Sequence, residues 1–185
     1  MTAFRTLLAD PPWNESGGGK IKRGADRHYP LVKSRDLPRV IKDSGAFNPA
    51  PDAHLWLWAT NTFLPDALAL GSALGFDYKS NVCWAKMRDG RPQIGIGQYL
   101  RGAHELLLFF TRGRGQSPDV WIGHRDVRSL IVAPRTRHSA KPVEAYELIE
   151  RVSAAPRVEL FARAPREGWS AWGNEIENET KEGAK

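Results

Sequence analysis

Short apolar runs separated by turn-forming residues are the main pattern along this chain. Runs rich in leucine, β-branched and aromatic side chains predict strands. The run at residues 4–9 predicts a buried strand that Asp10, Pro11 and Pro12 bring to an end. The remaining predicted strands lie at residues 54–59, 78–86, 104–111, 126–132, 157–162 and 169–173, the last of them as an edge strand.

Segments with helical spacing alternate with these strands. They are predicted at residues 36–42, from a cap at residue 60 or 61 to Leu74, and at residues 139–154. Loops are predicted at residues 14–28, 87–102 and 112–119. This alternation predicts an α/β fold, with helices packed on the faces of a sheet. Because the chain contains no repeat and no linker, we expect one domain over residues 1–175 and a charged, disordered tail over residues 176–185.

The charge and the aromatic content suggest a class of partner. The formal net charge is +6, which is compatible with a polyanion such as nucleic acid, although a need for solubility explains it equally well. Seven tryptophans are a high number for 185 residues. Some are expected in the core, and any exposed indole would form a stacking platform for bases.

Other features disfavour several classes of protein. Cys83 is the sole cysteine, so it cannot form an internal disulfide, and we expect it to be buried and inert. The five histidines lack the spacing of metal ligands, and we predict no metal. The amino terminus is not apolar enough for a signal peptide, and no run approaches the ~20 residues of a membrane span. We therefore expect a cytoplasmic protein without membrane contact.

The segment Asp10-Pro11-Pro12-Trp13 carries the most distinctive chemistry. An acid directly after a strand lies at the edge where open α/β sheets bind ligands. Two prolines stiffen the backbone and remove amide donors, so the corner presents carboxylate and carbonyl acceptors. Such a corner suits a nucleobase amine, because accepting both N–H bonds frees the nitrogen lone pair to attack a methyl group, while Trp13 would stack on the ring. An ordinary turn followed by a core tryptophan explains these residues equally well.

Further motifs occur in an order that points to one family. After ADPPW (9–13) come Tyr29, LWLWAT (55–60), Trp84 and Lys86 of a W-x-K strand, GQYLRGAHELLLFFTRG (97–113), HSAKPVEAYELIERV (138–152), VELFAR (158–163) and GWSAWGNE (168–175). The chain resembles the MT-A70 family of N6-adenine methyltransferases, which methylate adenine in RNA or DNA with S-adenosylmethionine. The resemblance implies an α/β, Rossmann-like methyltransferase sheet flanked by helices, in which the catalytic motif precedes the cofactor-binding strand.

The resemblance also implies roles for single residues. It makes Asp10, Pro11, Pro12 and Trp13 the catalytic motif, with Asp10 also close to the methionine end of S-adenosylmethionine. It places Lys141 at the cofactor carboxylate, and it places along the adenosine, its ribose or its adenine the residues Glu159, Leu160, Phe161, Arg163, Asn174 and Glu175. It places Tyr29 and Glu105 near the target adenine. Without the resemblance, Lys141 would be interpreted as part of a helix cap, and Glu159 and Arg163 as ion-pair residues.

This sequence departs from the family pattern in two places. Family members usually carry a strand and a turn before DPPW, whereas here residues 1–9 precede Asp10, so we expect cofactor binding that is weaker or completed by another chain. The strand VELFAR leads into Ala164-Pro165-Arg166 without a glycine-rich turn. Side chains and other loops are therefore expected to form the cofactor cradle.

Two basic segments are candidates for contact with the phosphates of a nucleic acid. Lys20, Lys22 and Arg23 lie in a glycine-rich stretch whose spacing does not fit a P-loop, and we interpret it as a basic gate over the site or as a solvated loop. Arg88, Arg91 and Arg101 extend a basic groove, or are plain surface charge.

Together these features predict an N6-adenine methyltransferase that uses S-adenosylmethionine and acts on a nucleic acid, with DNA preferred to RNA. A base in a duplex would have to be flipped out, whereas a single strand avoids that cost. We expect low sequence specificity, or a second copy or partner subunit that supplies it. The rival hypothesis is a non-catalytic nucleic-acid-binding scaffold of a methyltransferase complex.

Overall fold

A mixed sheet forms the framework of the part of the chain that the computed structural model describes, residues 2–13, 32–95, 99–123, 126–135, 140–173 and 176. Within these residues the sheet has eight strands. They are β1 Phe4–Ala9, β2 Pro49–Ala59, β3 Asp77–Arg88, β4 Arg91–Pro92, β5 His104–Arg112, β6 Leu130–Pro134, β7 Arg157–Leu160 and β8 Trp169–Trp172. The α-helices described are α1 Leu37–Asp43, α2 Leu64–Ala73 and α3 Val143–Val152, and single 3-10 turns at Ser34–Asp36 and Asn61–Phe63 lead into α1 and α2. The α/β fold expected from the sequence, a Rossmann-like sheet flanked by helices, is confirmed.

The strand directions decide where the site lies. The central path of the sheet is β3-β5-β2-β1-β7-β8, and β4 and β6 both pair with β3. Strands β2, β1, β7 and β8 are mutually parallel, whereas β5 runs antiparallel to both of its neighbours. The carboxyl ends of β1, β2, β3 and β7 therefore meet the amino end of β5 along one edge. Open α/β sheets bind their ligands beyond such an edge.

Both faces of the central strands are buried, which accounts for their continuous apolar sequences. Neighbouring residues point to opposite faces, so Leu7 and Leu57 pack beneath α1 and α2, while Leu8 and Trp56 pack beneath α3. Burying a leucine side chain in this way stabilises the fold by about 1.5–3 kcal/mol. Both faces of β1 are thus fixed in the core, and Asp10, which follows directly, is held rigidly at the sheet edge.

The tryptophans serve mainly as core residues. Five of the seven are buried and the other two are half-buried. Several buried indole N–H groups have partners: Trp56 donates to Ser153 Oγ at 3.0 Å, Trp84 to the Ala133 carbonyl at 3.0 Å, and Trp169 to Glu150 Oε1 at 2.7 Å. The high tryptophan count thus reflects packing, not a row of exposed stacking platforms.

Several predicted elements need correction. The predicted loop at residues 87–102 contains β4, because Asp89 and Gly90 adopt φ of 51° and 74° and form a tight hairpin turn after β3. The strand predicted at 126–132 begins only at Leu130. The helix predicted at 139–154 begins at Val143, since Pro142 is extended at its N-cap. Cys83 is half-buried, not fully buried, and burial raises the pKa of its thiol.

None of the described helices has the length and apolar character that a membrane crossing requires.

Candidate active site

The sheet edge gathers charged residues from distant parts of the chain. Asp10 follows β1, Glu105 begins β5 and Lys86 lies near the end of β3. Trp84 of β3 is paired with Glu105 of β5, and so Lys86 comes within reach of that carboxylate. Lys141 approaches from the segment before α3. The topology alone therefore brings two acids and two lysines to one place.

These four side chains form a continuous ion network. Lys141 Nζ lies 2.9 Å from Asp10 Oδ1 and 3.2 Å from Glu105 Oε2. The other oxygen of Glu105 accepts a hydrogen bond from Lys86 Nζ. Arg163, which follows β7, makes a longer contact of 3.7 Å with Asp10 Oδ2. Positive and negative side chains alternate along the network. The two lysines balance the two acids, and Arg163 adds one further positive charge.

Burial and charge act in opposite directions on this network. Burial disfavours the ionised carboxylate of Glu105, but the charges of Lys141 and Lys86 outweigh it and lower the pKa of Glu105. Burial likewise disfavours the ammonium of Lys141, yet Asp10 and Glu105 outweigh it and raise the pKa of Lys141. Both groups therefore stay charged at neutral pH. Lys141 also lies over the Trp58 ring, 5.3 Å from its centroid, which adds a cation–π attraction.

The Pro-Pro corner differs in one respect from the sequence argument. The backbone N–H of Trp13 donates to the Pro11 carbonyl at 2.8 Å, so this acceptor is already used inside the corner. No described residue donates to the Pro12 carbonyl. The acceptors that the corner offers a ligand are therefore the Asp10 carboxylate and the Pro12 carbonyl.

Trp13 is a core residue as well as part of the motif. Its side chain is only 5% exposed, its ring stacks on Phe63 with centroids 5.6 Å apart, and its indole N–H donates to the Trp58 carbonyl at 3.0 Å. These contacts tie the corner to the end of β2. The packing role weighed as an alternative in the sequence is present, and stacking of Trp13 on a base stays a prediction.

The end of β7 forms the second wall of the site. Glu159 is buried and accepts a hydrogen bond from the Tyr146 hydroxyl at 2.9 Å. Burial raises the pKa of Glu159 to about 7, assisted by the negative charge of Asp10 and opposed by the Tyr146 hydrogen bond. Leu160 ends the strand, and Phe161 adopts φ of 62°, which non-glycine residues rarely do. This sharp turn, without a glycine, directs the chain from β7 towards Arg163.

Three other predicted site residues that the structure describes, Arg88, Arg91 and Arg101, are not part of this cluster. Arg88 and Arg91 lie on the exposed hairpin between β3 and β5, and the guanidinium of Arg101 donates to the Gly95 carbonyl, which makes it a brace within that segment. Six predicted residues lie outside the described part of the chain: Lys20, Lys22, Arg23, Tyr29, Asn174 and Glu175. Among the described residues no group of three His, Cys, Asp or Glu side chains is arranged to hold a metal ion.

Two residues that shape the site, Lys86 and Tyr146, are not among those predicted from the sequence. Lys86 was noted only as part of a strand motif, although a lysine two positions after a buried tryptophan faces the same side of the sheet. Tyr146 lies within the family motif at residues 138–152, and nothing in the sequence indicates that its hydroxyl reaches Glu159.

The chain is similar in sequence to a family model and to several known proteins. The MT-A70 family model matches residues 4–175. Type II methyltransferase M.MunI from a Mycoplasma species is 30% identical over 194 residues, which cover 94% of this chain and 78% of that protein. The N6-methyladenosine RNA methyltransferase MTA1 of Cryphonectria parasitica is 28% identical, over 94% of this chain and 52% of its own length. The human N(6)-adenosine-methyltransferase catalytic subunit METTL3 is 26% identical, over 94% of this chain but only 28% of its own length.

Proposed function

The chain belongs to the MT-A70 family of N6-adenine methyltransferases, and from this premise we propose that it methylates the exocyclic amine of adenine in DNA with S-adenosylmethionine as methyl donor. The observation that carries the proposal is the placement of Asp10, whose carboxylate is held by Lys141 at 2.9 Å on the ligand-binding edge of the sheet. The intact Asp10-Pro11-Pro12-Trp13 corner favours an enzyme over a non-catalytic scaffold.

Asp10 has room for a substrate amine. An ionised carboxylate offers about four lone-pair positions. Lys141 occupies one at Oδ1, while Oδ2 has a contact of 3.7 Å with Arg163, which is longer than a hydrogen bond. We assign Oδ2 and the Pro12 carbonyl as acceptors for the two N–H bonds of the adenine amine. Held in this way, the amine keeps its lone pair free, and the acceptors stabilise the positive charge that develops on nitrogen.

The described residues fit S-adenosylmethionine. Its methionine end carries both a carboxylate and an ammonium group, and the network offers cations at Lys141 and Arg163 together with the Asp10 carboxylate. When bound, the cofactor supplies an electrophilic methyl group on a sulfonium. Glu159 is placed to accept hydrogen bonds from ribose hydroxyls, and the turn at Leu160 and Phe161 to line the adenosine. Asn174 and Glu175 complete this assignment by resemblance.

On the substrate side we assign Glu105 and Trp13 to the target adenine, with Tyr29 added by resemblance. Lys20, Lys22, Arg23, Arg88 and Arg91 are assigned to phosphates. We propose that the protein acts in the cytoplasm. A second copy or a partner subunit would complete target recognition.

The comparisons support DNA before RNA. The chain spans 78% of the type II methyltransferase, which is not named as an RNA enzyme, but about half or less of the relatives named as RNA or adenosine methyltransferases. RNA remains the second candidate because those relatives match 94% of this chain.

A direct comparison of substrates tests the proposal. Purified protein is incubated with labelled S-adenosylmethionine and with single-stranded DNA, duplex DNA or RNA of matched sequence, and the nucleosides are identified by mass. We expect N6-methyladenine in DNA at a rate well above that in RNA. Methylation of RNA alone would overturn the choice of DNA, and cofactor binding without any methylated nucleoside would overturn the proposed activity.

A further inference from the structure

The segment between β3 and β5 exposes large apolar side chains close to the candidate active site. We refer to the described residues 88–95 and 99–103 as the finger. Tyr99 is 97% exposed and Leu100 is 87% exposed, and Ile94 on the other arm is also exposed. Single exposed apolar residues are common, but a tyrosine and a leucine side by side at full exposure are typical of a contact surface.

Hydrogen bonds fix the base of the finger. The backbone N–H of Gln93 donates to the Lys86 carbonyl at 2.7 Å, and that of Gly95 donates to the Gly102 carbonyl at 2.7 Å. The Arg101 guanidinium also donates to the Gly95 carbonyl. The two arms are therefore tied together below Tyr99 and Leu100. These hydrogen bonds hold the two side chains on a fixed support, as insertion into a binding partner requires.

The finger starts and ends in the active-site network. Lys86 precedes one arm, Glu105 follows the other, and the two side chains are hydrogen-bonded to each other. Tyr99 is six residues from Glu105, so an extended chain would place it at most about 20 Å away. Bases along one DNA strand are spaced by about 3.4 Å, so this reach spans at most about six nucleotides and includes those that flank a base bound beside Asp10.

Positive charge accompanies the apolar tip. Arg88 and Arg91 line a depression of about 520 Å³ at the base of the finger, together with Asp89 and Ile94. Both arginines are exposed, so they are available to contact the phosphates of a nucleic acid. An apolar tip beside arginines matches the chemistry of a nucleic-acid duplex, whose stacked bases are apolar and whose backbone is anionic.

We propose that Tyr99 and Leu100 form a wedge that enters the base stack of duplex DNA next to the target adenine and fills the space left when that adenine swings out. This inference rests on the proposed function and deepens it, because it assigns to the finger the work of opening a duplex. The aromatic ring of Tyr99 replaces the lost stacking partner, and Leu100 separates the neighbouring step.

If Tyr99 and Leu100 form a wedge, their replacement should lower the rate of methylation by an amount that depends on the DNA substrate. Methylation is measured for wild type, Tyr99→Ala and Leu100→Ala on three DNAs of one sequence: a single strand, a duplex, and a duplex with an abasic site opposite the adenine. Stacking on an aromatic side chain is strong enough for Tyr99→Ala to slow methylation of the intact duplex about tenfold. The single strand and the abasic duplex should change by less than about twofold, because their adenine needs no wedge. Tyr99→Phe keeps the ring and should behave as wild type.

A matched substitution controls for loss of exposed apolar surface. Leu130→Ala removes an exposed leucine from β6, outside the finger, and should leave all three rates unchanged, in contrast to Leu100→Ala. Equal losses on all three DNAs for Tyr99→Ala would overturn the wedge. So would conversion of a dimer to a monomer by Tyr99→Ala in sedimentation, which would identify the tip as a contact between copies.

A readout independent of methyl transfer separates this inference from the proposed function. Duplexes carry 2-aminopurine in place of adenine, one position at a time, in a sequence that covers all triplets with a central adenine. Wild type and Tyr99→Phe should raise the fluorescence at a position that becomes unstacked, and Tyr99→Ala should not. A fluorescence rise in the 2-aminopurine duplexes, without methylation of the parent all-adenine duplex, would overturn the proposed activity and support the wedge. Methylation of the duplex without any fluorescence change would overturn the wedge alone.

Discussion

The ammonium of Lys141 lies 2.9 Å from the carboxylate of Asp10, and both side chains are largely withdrawn from water. Their separation in sequence is bridged by the sheet, which puts the end of β1 beside the segment that leads into α3. A charge pair in such surroundings is stable only while both partners are present. The same contact therefore fixes the Asp10 carboxylate and holds a cation at the sheet edge.

Replacing Asp10 by asparagine should abolish most activity, while the protein stays folded because Glu105 still pairs with Lys141. The amide keeps the shape of the side chain but removes the negative charge that would stabilise the developing positive charge on nitrogen. We expect the rate of methyl transfer to fall by about 10²–10³-fold, as for other groups that stabilise transition-state charge. Rates are measured with labelled S-adenosylmethionine, and folding by thermal unfolding.

Asp77→Asn is the matched control for this substitution. Asp77 is an exposed acid at the amino end of β3, whereas Lys86 of the site lies near the carboxyl end. Loss of the Asp77 charge should therefore leave the rate of methyl transfer unchanged. An Asp10→Asn variant that keeps more than about a tenth of the wild-type rate would contradict a direct role for this carboxylate in charge stabilisation.

Lys141→Met should weaken both the fold and cofactor binding. The substitution leaves Asp10 and Glu105 without the cation between them, and breaking a buried ion pair typically costs about 3–5 kcal/mol of unfolding free energy. We expect at least tenfold weaker binding of S-adenosylmethionine by calorimetry. Lys79→Met, at an exposed lysine of β3, should change neither quantity. Cofactor affinity at the wild-type level in a folded Lys141→Met variant would exclude Lys141 as a cofactor ligand.

The sequence predicted the framework of this site well, because the framework depends on local patterns. The apolar run before Asp10 predicted β1 with its observed bounds, and the strand-end position of Asp10 followed from it. The aromatic run that contains Trp56 and Trp58 indicated β2, although the strand begins earlier, at Pro49. Ordered family motifs then supplied candidates whose chemistry no single motif establishes.

What the sequence could not predict are contacts between distant residues. Lys86 and Glu105 meet because β3 and β5 are antiparallel neighbours, a pairing that no local pattern specifies. Arg101 could be recognised as a basic residue, but not as the brace of Gly95, since that depends on the path of the backbone. The hydrogen bond from Trp13 to the Pro11 carbonyl likewise follows from how tightly the corner folds.

Trp13→Phe separates the packing role of Trp13 from its role in the site. The substitution keeps an aromatic ring but leaves the buried Trp58 carbonyl without its donor, which should cost about 1–3 kcal/mol of unfolding free energy. Trp84→Phe is matched to it, because the Trp84 indole also donates to a buried carbonyl, that of Ala133. We expect similar losses of stability in urea, but a loss of methyl transfer of tenfold or more only for Trp13→Phe. Equal effects on activity would reduce Trp13 to a packing residue.

Glu159 makes the stability of the fold depend on pH in a direction opposite to that of a paired carboxylate. Its pKa is about 7 in the folded protein, mainly because of burial, against 4.5 as the ordinary value. The folded state therefore binds a proton more tightly than the unfolded state between these values, so unfolding free energy falls as pH rises from about 4.5 to 7 and is level above that. A pKa difference of about 2.5 between the folded and unfolded states corresponds to an upper limit of about 3 kcal/mol of unfolding free energy.

Glu159→Gln should remove this dependence, because the amide oxygen can still accept the Tyr146 hydroxyl but carries no charge. We expect the variant to gain about 2–3 kcal/mol of unfolding free energy relative to wild type between pH 5 and pH 8, measured by urea denaturation at both values. Glu147→Gln replaces an exposed glutamate of α3, and its unfolding free energy should change with pH as that of wild type does. Parallel curves for Glu159→Gln and wild type would mean that burial does not raise the pKa of Glu159 in the folded protein.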